Sequence, residues 1–193
     1  NGGNPFIVDA SDVWLTDRTI VVNSTEDLGD ATPLGDGYID VDLATAGSQI
    51  TLRAAIQEAN LLPGHNTISV PAGTYTLNLA GVGEDDSITG DLDVRQGLTI
   101  VGGGPDETII DAAGLERVFQ IFGGVVAEFT GLTITGGSVV GSEDGGGIRS
   151  AGDLKLVDVV VDGNTAEDSG GGINADGSLS MERVTISNNT SGG

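Results

Sequence analysis

The 193-residue chain contains no cysteine and only seven basic residues. Without thiols it can form neither a disulfide framework nor a thiolate metal site. Its 29 acidic residues give a net charge of −22, and such a surface repels other polyanions. We therefore expect neither nucleic acid nor anionic lipid as a partner. No apolar run approaches the roughly 20 residues that cross a bilayer, so we expect no membrane insertion.

Aromatic residues are also scarce, at 4% of the chain, and Trp14, Tyr38 and Tyr75 lie far apart in sequence. Glycine is abundant instead, with 33 residues, and the apolar content consists mostly of short Val, Ile and Leu runs. Short β-favouring runs bounded by glycine predict many short strands separated by turns. The length fits one domain.

A repeat near the C-terminal end predicts the architecture. The segment 145–148, Gly-Gly-Gly-Ile, recurs at 170–173, and aligning 145–168 with 170–193 leaves nine of 24 positions identical. A fixed period indicates stacked units, and 25 residues are too few for a propeller blade of about 40. Three strands and three turns per repeat predict an all-β fold, a right-handed single-stranded parallel β-helix with about 25 residues per coil.

One segment has helical periodicity. Residues 51–60 place apolar side chains at i, i+3, i+4 and i+7, and Pro63-Gly64 ends the pattern. The stripe consists of Leu52, Ala55, Ile56 and Ala59. An open sheet edge invites aggregation, so we expect this amphipathic helix to cap the N-terminal end of the solenoid. Residues 1–66 then form the N-terminal segment with its acidic loop and cap, and 67–193 form the coils of the same domain.

The segment 50–60, Ile-Thr-Leu-Arg-Ala-Ala-Ile-Gln-Glu-Ala-Asn, resembles the capping helix of bacterial surface β-helix proteins, which typically reads Cys-Ser-Leu-Arg-Glu-Ala-Ile-x-x-Ala-Asn. The repeats are similar to those of polymorphic outer-membrane proteins, which pair a Gly-Gly-apolar motif with Phe-x-x-Asn; here Val161 and Ile186 replace Phe. The resemblance implies a secreted or surface-anchored scaffold or adhesin, extracellular or on the bacterial cell surface, without catalytic residues. The acidic charge leaves glycans and host or cell surfaces open as partners.

The long acidic loop at 23–49 is the candidate metal site. Carboxylates are the oxygen ligands that calcium prefers. The Asp-Gly-Tyr-Ile-Asp segment at 36–40 fits the middle of an EF-hand loop, but the remaining ligand positions are missing. A calcium site of another kind and a solvated acidic loop both remain open interpretations. The candidate ligands are Asp27, Asp30, Asp36, Asp40 and Asp42. The Glu84-Asp85-Asp86 segment is predicted to be a charged turn.

Two polar positions recur in the repeats: Asn164 matches Asn189, and Thr165 matches Thr190. Stacked asparagines can form an amide ladder along the axis of a solenoid, so we predict a structural role for all four residues. Asp158 and Arg183 also match, which predicts an ion pair between coils.

Three functions compete. A structural scaffold or adhesin fragment would continue into downstream repeats of a larger chain, since another Gly-Gly-Gly-Ile unit could follow residue 193. A fibre subunit would instead stack on copies of itself through open β-helix ends. A polysaccharide lyase or hydrolase is the third alternative, but Lys155 is the single lysine and no basic pair recurs at coil spacing. We therefore expect no enzymatic activity.

Overall fold

The computed structural model describes residues 17–32 and 34–192. Within these residues the chain forms one helix, α1 (Leu52–Ala59), and sixteen strands. The strands are Thr19–Val21 (β1), Asn66–Val70 (β2), Gly73–Thr76 (β3), Leu92–Val94 (β4), Leu98–Gly102 (β5), Thr108–Asp111 (β6), Phe119–Ile121 (β7), Val126–Thr135 (β8), Ser138–Val139 (β9), Ile148–Ser150 (β10), Asp153–Asp162 (β11), Thr165–Ala166 (β12), Ile173–Ala175 (β13), Leu179–Glu182 (β14), Thr185–Ser187 (β15) and Thr190–Ser191 (β16).

The strands stack in parallel into a β-solenoid of about 4 turns. One sheet follows the order β1-β2-β5-β8-β11-β14, a second the order β4-β7-β10-β13, and a third the order β9-β12-β16. Each strand thus pairs with the equivalent strand of at least one neighbouring turn. The all-β, parallel solenoid predicted from the repeat is confirmed at this level.

Alternating side chains point into an aliphatic core along every turn. One inward rank runs through the first sheet in continuous register, and its members are Ile20, Ile68, Ile100, Phe129, Leu156 and Met181. The four central members are fully buried, whereas Met181, in the last turn, is 50% exposed. Period-2 alternation therefore predicts the direction of each side chain, while burial requires a turn on both sides.

The last described turn is uncovered on its outer side. Leu179 and Ile186 are 36% and 49% exposed, although their partners Leu154 and Val161 are buried. The sequence pattern predicts these residues as inward-facing. Their register agrees with that pattern, but no described segment packs over them.

The repeated glycines lie where successive turns approach each other. A Cβ atom on Gly146 would lie 2.3 Å from the carbonyl oxygen of Thr165, and one on Gly171 would lie 2.0 Å from that of Thr190. Any side chain there would force the turns apart. The Gly-Gly-Gly-Ile motif is thus a packing requirement of the stack.

The helix α1 begins after Thr51, whose side chain accepts a hydrogen bond from the Ala54 N–H at 3.1 Å. The predicted apolar stripe is buried, but so is every other residue of the helix. Every residue is buried because the helix lies between two parts of the protein. Its apolar face packs on β2 and β4, and its polar face is covered by the acidic loop and by residues 84–91. The eight-residue α1 is too short to span a bilayer, and the described residues contain no other helix.

Turn length is not constant. Leu154 pairs with Leu179, 25 residues later, whereas Asn66 pairs with Leu98 and Thr19 with Thr67. The turn from Thr19 to Thr67 is the longest because it contains the acidic loop and α1. Among the later turns the largest excursion is at 77–91, between β3 and β4. Shorter excursions occupy 112–118, before β7, and 140–147, before β10.

Candidate functional site

The three excursions lie side by side because each leads into a strand of the second sheet, where β4, β7 and β10 are direct neighbours. They enclose a groove of about 470 Å³. Its lining comes from residues 82–91, 115–120 and 138–149, so the groove crosses three successive turns along the solenoid axis. Its volume falls within the range of small-molecule sites.

Arg117 lines this groove on the middle one of its three turns, two residues before β7, and is almost completely buried. Its Nη1 lies 3.3 Å from Asp91 Oδ2, one turn earlier, and its Nη2 lies 2.8 Å from Glu143 Oε2, one turn later. Nη1 also donates to Gln120 Oε1 at 2.7 Å, and Nη2 to the Asp144 carbonyl at 3.2 Å. One guanidinium therefore ties three turns together, while its Nε has no hydrogen-bond partner among the described residues.

The carboxyl groups around Arg117 are crowded. Five line the groove, those of Glu84, Asp85, Asp91, Glu116 and Glu143, against the two guanidinium groups of Arg117 and Arg149. Burial raises the pKa of Asp91 to about 6, although the charge of Arg117 opposes the rise. Burial, followed by the negative charge of Asp91, raises the pKa of Glu116 to about 7. Near neutral pH this groove therefore contains both carboxylates and a carboxylic acid that can donate its proton.

A third carboxyl group lies beneath the same excursion. Asp93 in β4 points outward from the core but is fully buried, because residues 84–91 fold over it. Its Oδ2 accepts from the Ser87 N–H at 2.9 Å, whereas its Oδ1 has no partner within the described chain. Burial first, and then the charge of Asp91, raise the pKa of Asp93 to about 8.

Arg149 supplies the second cation of the groove. It lies in β10, in register with Gln120 of β7, and is half-buried. Its side chain has neither a hydrogen bond nor an ion pair within the described residues, despite the surplus of carboxyl groups in the same groove. The groove thus contains one guanidinium group that is paired with none of the carboxyl groups of its lining.

The sequence analysis missed this site, because it assigns Glu84-Asp85-Asp86 to a charged turn and gives Arg117 no role. The sequence nevertheless contains a spacing pattern that predicts part of this site. Asp91, Arg117 and Glu143 are spaced 26 residues apart, close to the repeat period. Residues at that spacing lie on neighbouring turns, so an acid-base-acid series with the period of the solenoid predicts an axial ion-pair chain.

The five aspartates of the predicted calcium site have separate roles. Asp27 is buried against Arg53 of α1, with Oδ1 at 2.6 Å from Nε, and its Oδ2 accepts from the Asn78 and Leu79 N–H groups. Asp30, Asp36, Asp40 and Asp42 each accept the N–H group two residues later. Asp30 and Asp40 are linked, since the Asp40 N–H donates to Asp30 Oδ1 at 3.1 Å.

The segment that fits part of an EF-hand loop wraps around an anion of the protein itself. The N–H groups of Gly35 and Gly37 both donate to the carboxylate of Glu58 in α1. Across residues 17–32 and 34–192, no three Asp, Glu or His side chains form a group that could hold a metal ion. Calcium binding by this loop stays a prediction.

The polar residues of the repeats lie on adjacent turns. Asn164 Nδ2 donates to Asn189 Oδ1 at 3.0 Å, and Thr165 pairs with Thr190 in the third sheet. Asn164 also accepts from the Gly137 N–H at 2.8 Å and donates to the Ile134 carbonyl at 3.1 Å. Asp158 and Arg183 form the expected ion pair between turns, with Nη2 at 2.7 Å from Oδ2.

Neither a protein-family model, nor a curated protein, nor a solved structure matches this chain.

Proposed function

We propose that this chain is a structural scaffold or adhesin module of an extracellular or bacterial cell surface, in which the uncovered last turn receives a further turn of solenoid. In this proposal the solenoid is a right-handed β-helix, its repeat coil has about 25 residues, and α1 closes its N-terminal end. The supporting observation is the exposure of inward-facing side chains in β14 and β15.

These side chains continue ranks that are buried everywhere else. Leu179, Met181 and Ile186 follow Leu154, Leu156 and Val161, which are at most 2% exposed. Burying an aliphatic side chain completely contributes roughly 1.5–3 kcal/mol. A further turn over this face would add part of that stabilisation for each of the three side chains, which are now 36–50% exposed.

The backbone of the last turn also supports the proposal that a further turn of solenoid packs on this end. The strands β14, β15 and β16 pair on one side with β11 and β12. On the other side their N–H and C=O groups have no strand partner among the described residues. Such an edge is a template for another strand.

The opposite end is organised differently. There α1 packs on β2 and β4, and the acidic loop covers the helix through the buried Arg53–Asp27 pair. Arg53 also donates to the Ser87, Gly90 and Asp91 carbonyls, so the helix, the loop and the first excursion are cross-linked. An end closed in this way is suited to be a terminus of a stack, while the uncovered end is suited to growth.

The further turn could come from the same longer chain or from a second copy, and one experiment separates these sources. We would append a duplicate of residues 168–192 after residue 192 and compare hydrogen exchange in the original and extended chains. We expect amides of β14 and β15 to gain at least tenfold protection in the extended chain, because the new turn pairs with them. Unchanged exchange there would contradict the proposal.

Light scattering against protein concentration tests the second source. If copies stack, the particle mass of the original chain rises with concentration, and Met181→Lys or Ile186→Lys abolishes that rise. The matched control is Val126→Lys, since Val126 is 53% exposed on β8, away from the open end. A rise that survives both open-end variants would exclude this face as the contact.

A further inference from the structure

We propose that the groove lined by Arg117 is a binding site for a linear, uncharged oligosaccharide. This site lies on the side of the solenoid, along the second sheet, and does not depend on how the last turn is covered. Failure of one proposal therefore leaves the other unaffected.

The inference rests on the hydrogen-bond donors and acceptors that line the groove. The side chain of Arg149 is half-buried and has neither a hydrogen bond nor an ion pair with any described residue, so its guanidinium N–H groups are open to a ligand. Glu84, Asp85 and Glu116 supply acceptors close by, and Gln120 and Ser138 supply both kinds of group. A ligand that satisfies such a lining must donate and accept along its length. Hydroxyl groups do both, and a chain of sugars presents them at regular intervals.

The walls suit the apolar faces of sugar rings. Val82, Leu115 and Val140 line the groove and are 81%, 41% and 68% exposed. They are isolated large aliphatic side chains on a strongly acidic surface, and they lie on three different excursions. Aliphatic walls with a few polar groups that fix orientation are typical of small-molecule sites.

The charge of the groove selects against acidic ligands. Five carboxyl groups face two guanidinium groups, so acidic side chains outnumber basic ones in the lining. A uronic acid or sulfated polymer would bring further negative charge to a site where crowding and burial already raise the pKa of Glu116. Neutral sugars avoid this repulsion.

The shape favours a linear polymer. The groove crosses three turns, and neighbouring strands in a sheet are separated by about 4.8 Å. Three turns thus span roughly 10 Å between the first and the third, about the length of two sugar units. We infer that two or three consecutive sugars contact the groove.

The test is titration of the full chain with cellohexaose, xylohexaose, mannohexaose and maltohexaose at pH 6.5, followed by amide chemical shifts. We expect at least one neutral hexasaccharide to give saturable shifts at Arg117, Gln120, Ser138 and Arg149. Hexagalacturonate should give none. Arg149→Met and Glu116→Gln should each weaken that binding at least tenfold.

Lys155→Met is the matched control, because it also removes one positive charge but lies outside the groove, paired with Glu128. Its affinity should equal that of the unmodified chain, and unchanged circular dichroism would establish folding of all three variants. The proposal is overturned if none of the four sugars produces saturable groove shifts. It is equally overturned if spermidine alone binds there, since that identifies a site for organic cations.

Discussion

At the scale of single residues, some non-glycine residues adopt the left-handed backbone conformation that glycine prefers, because the turn at that position requires it. Among residues 17–32 and 34–192, five non-glycine residues have a positive φ. Two of them, Asp158 and Arg183, occupy on successive turns the corner position that Gly131 occupies one turn before Asp158. The corner needs a left-handed residue, and an L side chain there costs about 1–2 kcal/mol. Asp158 and Arg183 form an ion pair across the turns at this position, whereas Ala113, with φ of 54°, has no side-chain contact of that kind.

Replacing Ala113 with glycine should therefore stabilise the protein. Relief of the left-handed strain exceeds the greater entropy of glycine in the unfolded chain, so we expect a gain of about 0.5–1 kcal/mol in the free energy of unfolding. Ala151→Gly is the control, since Ala151 is also exposed but has no positive φ, and it should lose a similar amount. Urea unfolding measures the change in the free energy of unfolding for both variants. Changes of the same sign would contradict the prediction.

At the scale of elements, the asparagine positions join one turn to the next. Asn164 is completely buried and serves the Gly137 N–H, the Ile134 carbonyl and Asn189. Asn189 serves the Asn164 N–H and the Val161 carbonyl, but its own turn is open on the outer side. The two identical residues should thus differ in energetic importance because of their position in the stack.

Asn164→Ala should lower the free energy of unfolding by about 2–4 kcal/mol, because it leaves several buried groups without partners. Asn189→Ala should lower it by about 1 kcal/mol, since water reaches the groups it exposes. Thermal or urea unfolding would compare the two variants directly. A larger effect at Asn189 than at Asn164 would mean that the ladder does not derive its strength from burial.

Much of this element-level structure could be predicted from the sequence. The repeat predicts the parallel stack and its ranks, and the 3.6-residue period predicts α1 to within two residues. Burial of Arg53, Gln57 and Glu58 could not be predicted, because their partners lie in the irregular loop at 23–49 and in the excursion at 77–91, neither of which has a period. The groove was missed for the same reason: its walls are excursions, and local patterns do not reveal which excursions become neighbours.

At the scale of the whole molecule, electrostatics should make stability fall as the solution becomes alkaline. The folded-state pKa values of Asp91, Glu116 and Asp93 are raised to about 6, 7 and 8 from ordinary values of 3.8 and 4.5. The folded state therefore binds protons more tightly than the unfolded chain, so these groups contribute stability that is complete below about pH 4 and lost as the pH rises through 6 to 8. The net charge of −22 acts in the same direction.

We expect the urea midpoint to be higher at pH 5.5 than at pH 8.5. Below pH 4 the trend reverses, because hydrogen bonds lower the pKa of exposed Asp42, Asp158 and Asp162, and protonation removes those bonds. Asp93→Asn should flatten the decline between pH 7 and pH 8.5, since the amide keeps the oxygen that accepts from Ser87 but does not ionise. A urea midpoint that rises toward pH 8.5 in the unmodified chain would contradict the raised pKa values of Asp91, Glu116 and Asp93.

The unequal turn lengths have a consequence for how such a chain can change over generations. Additional residues are accommodated at the corners that precede β4, β7 and β10, while the ranks on either side keep their register. In a set of related genes, insertions and deletions should therefore accumulate at 77–91, 112–118 and 140–147. The paired strands should instead vary by whole-turn duplication or loss. A lineage could then exchange one recognition groove for another without altering the stack beneath it.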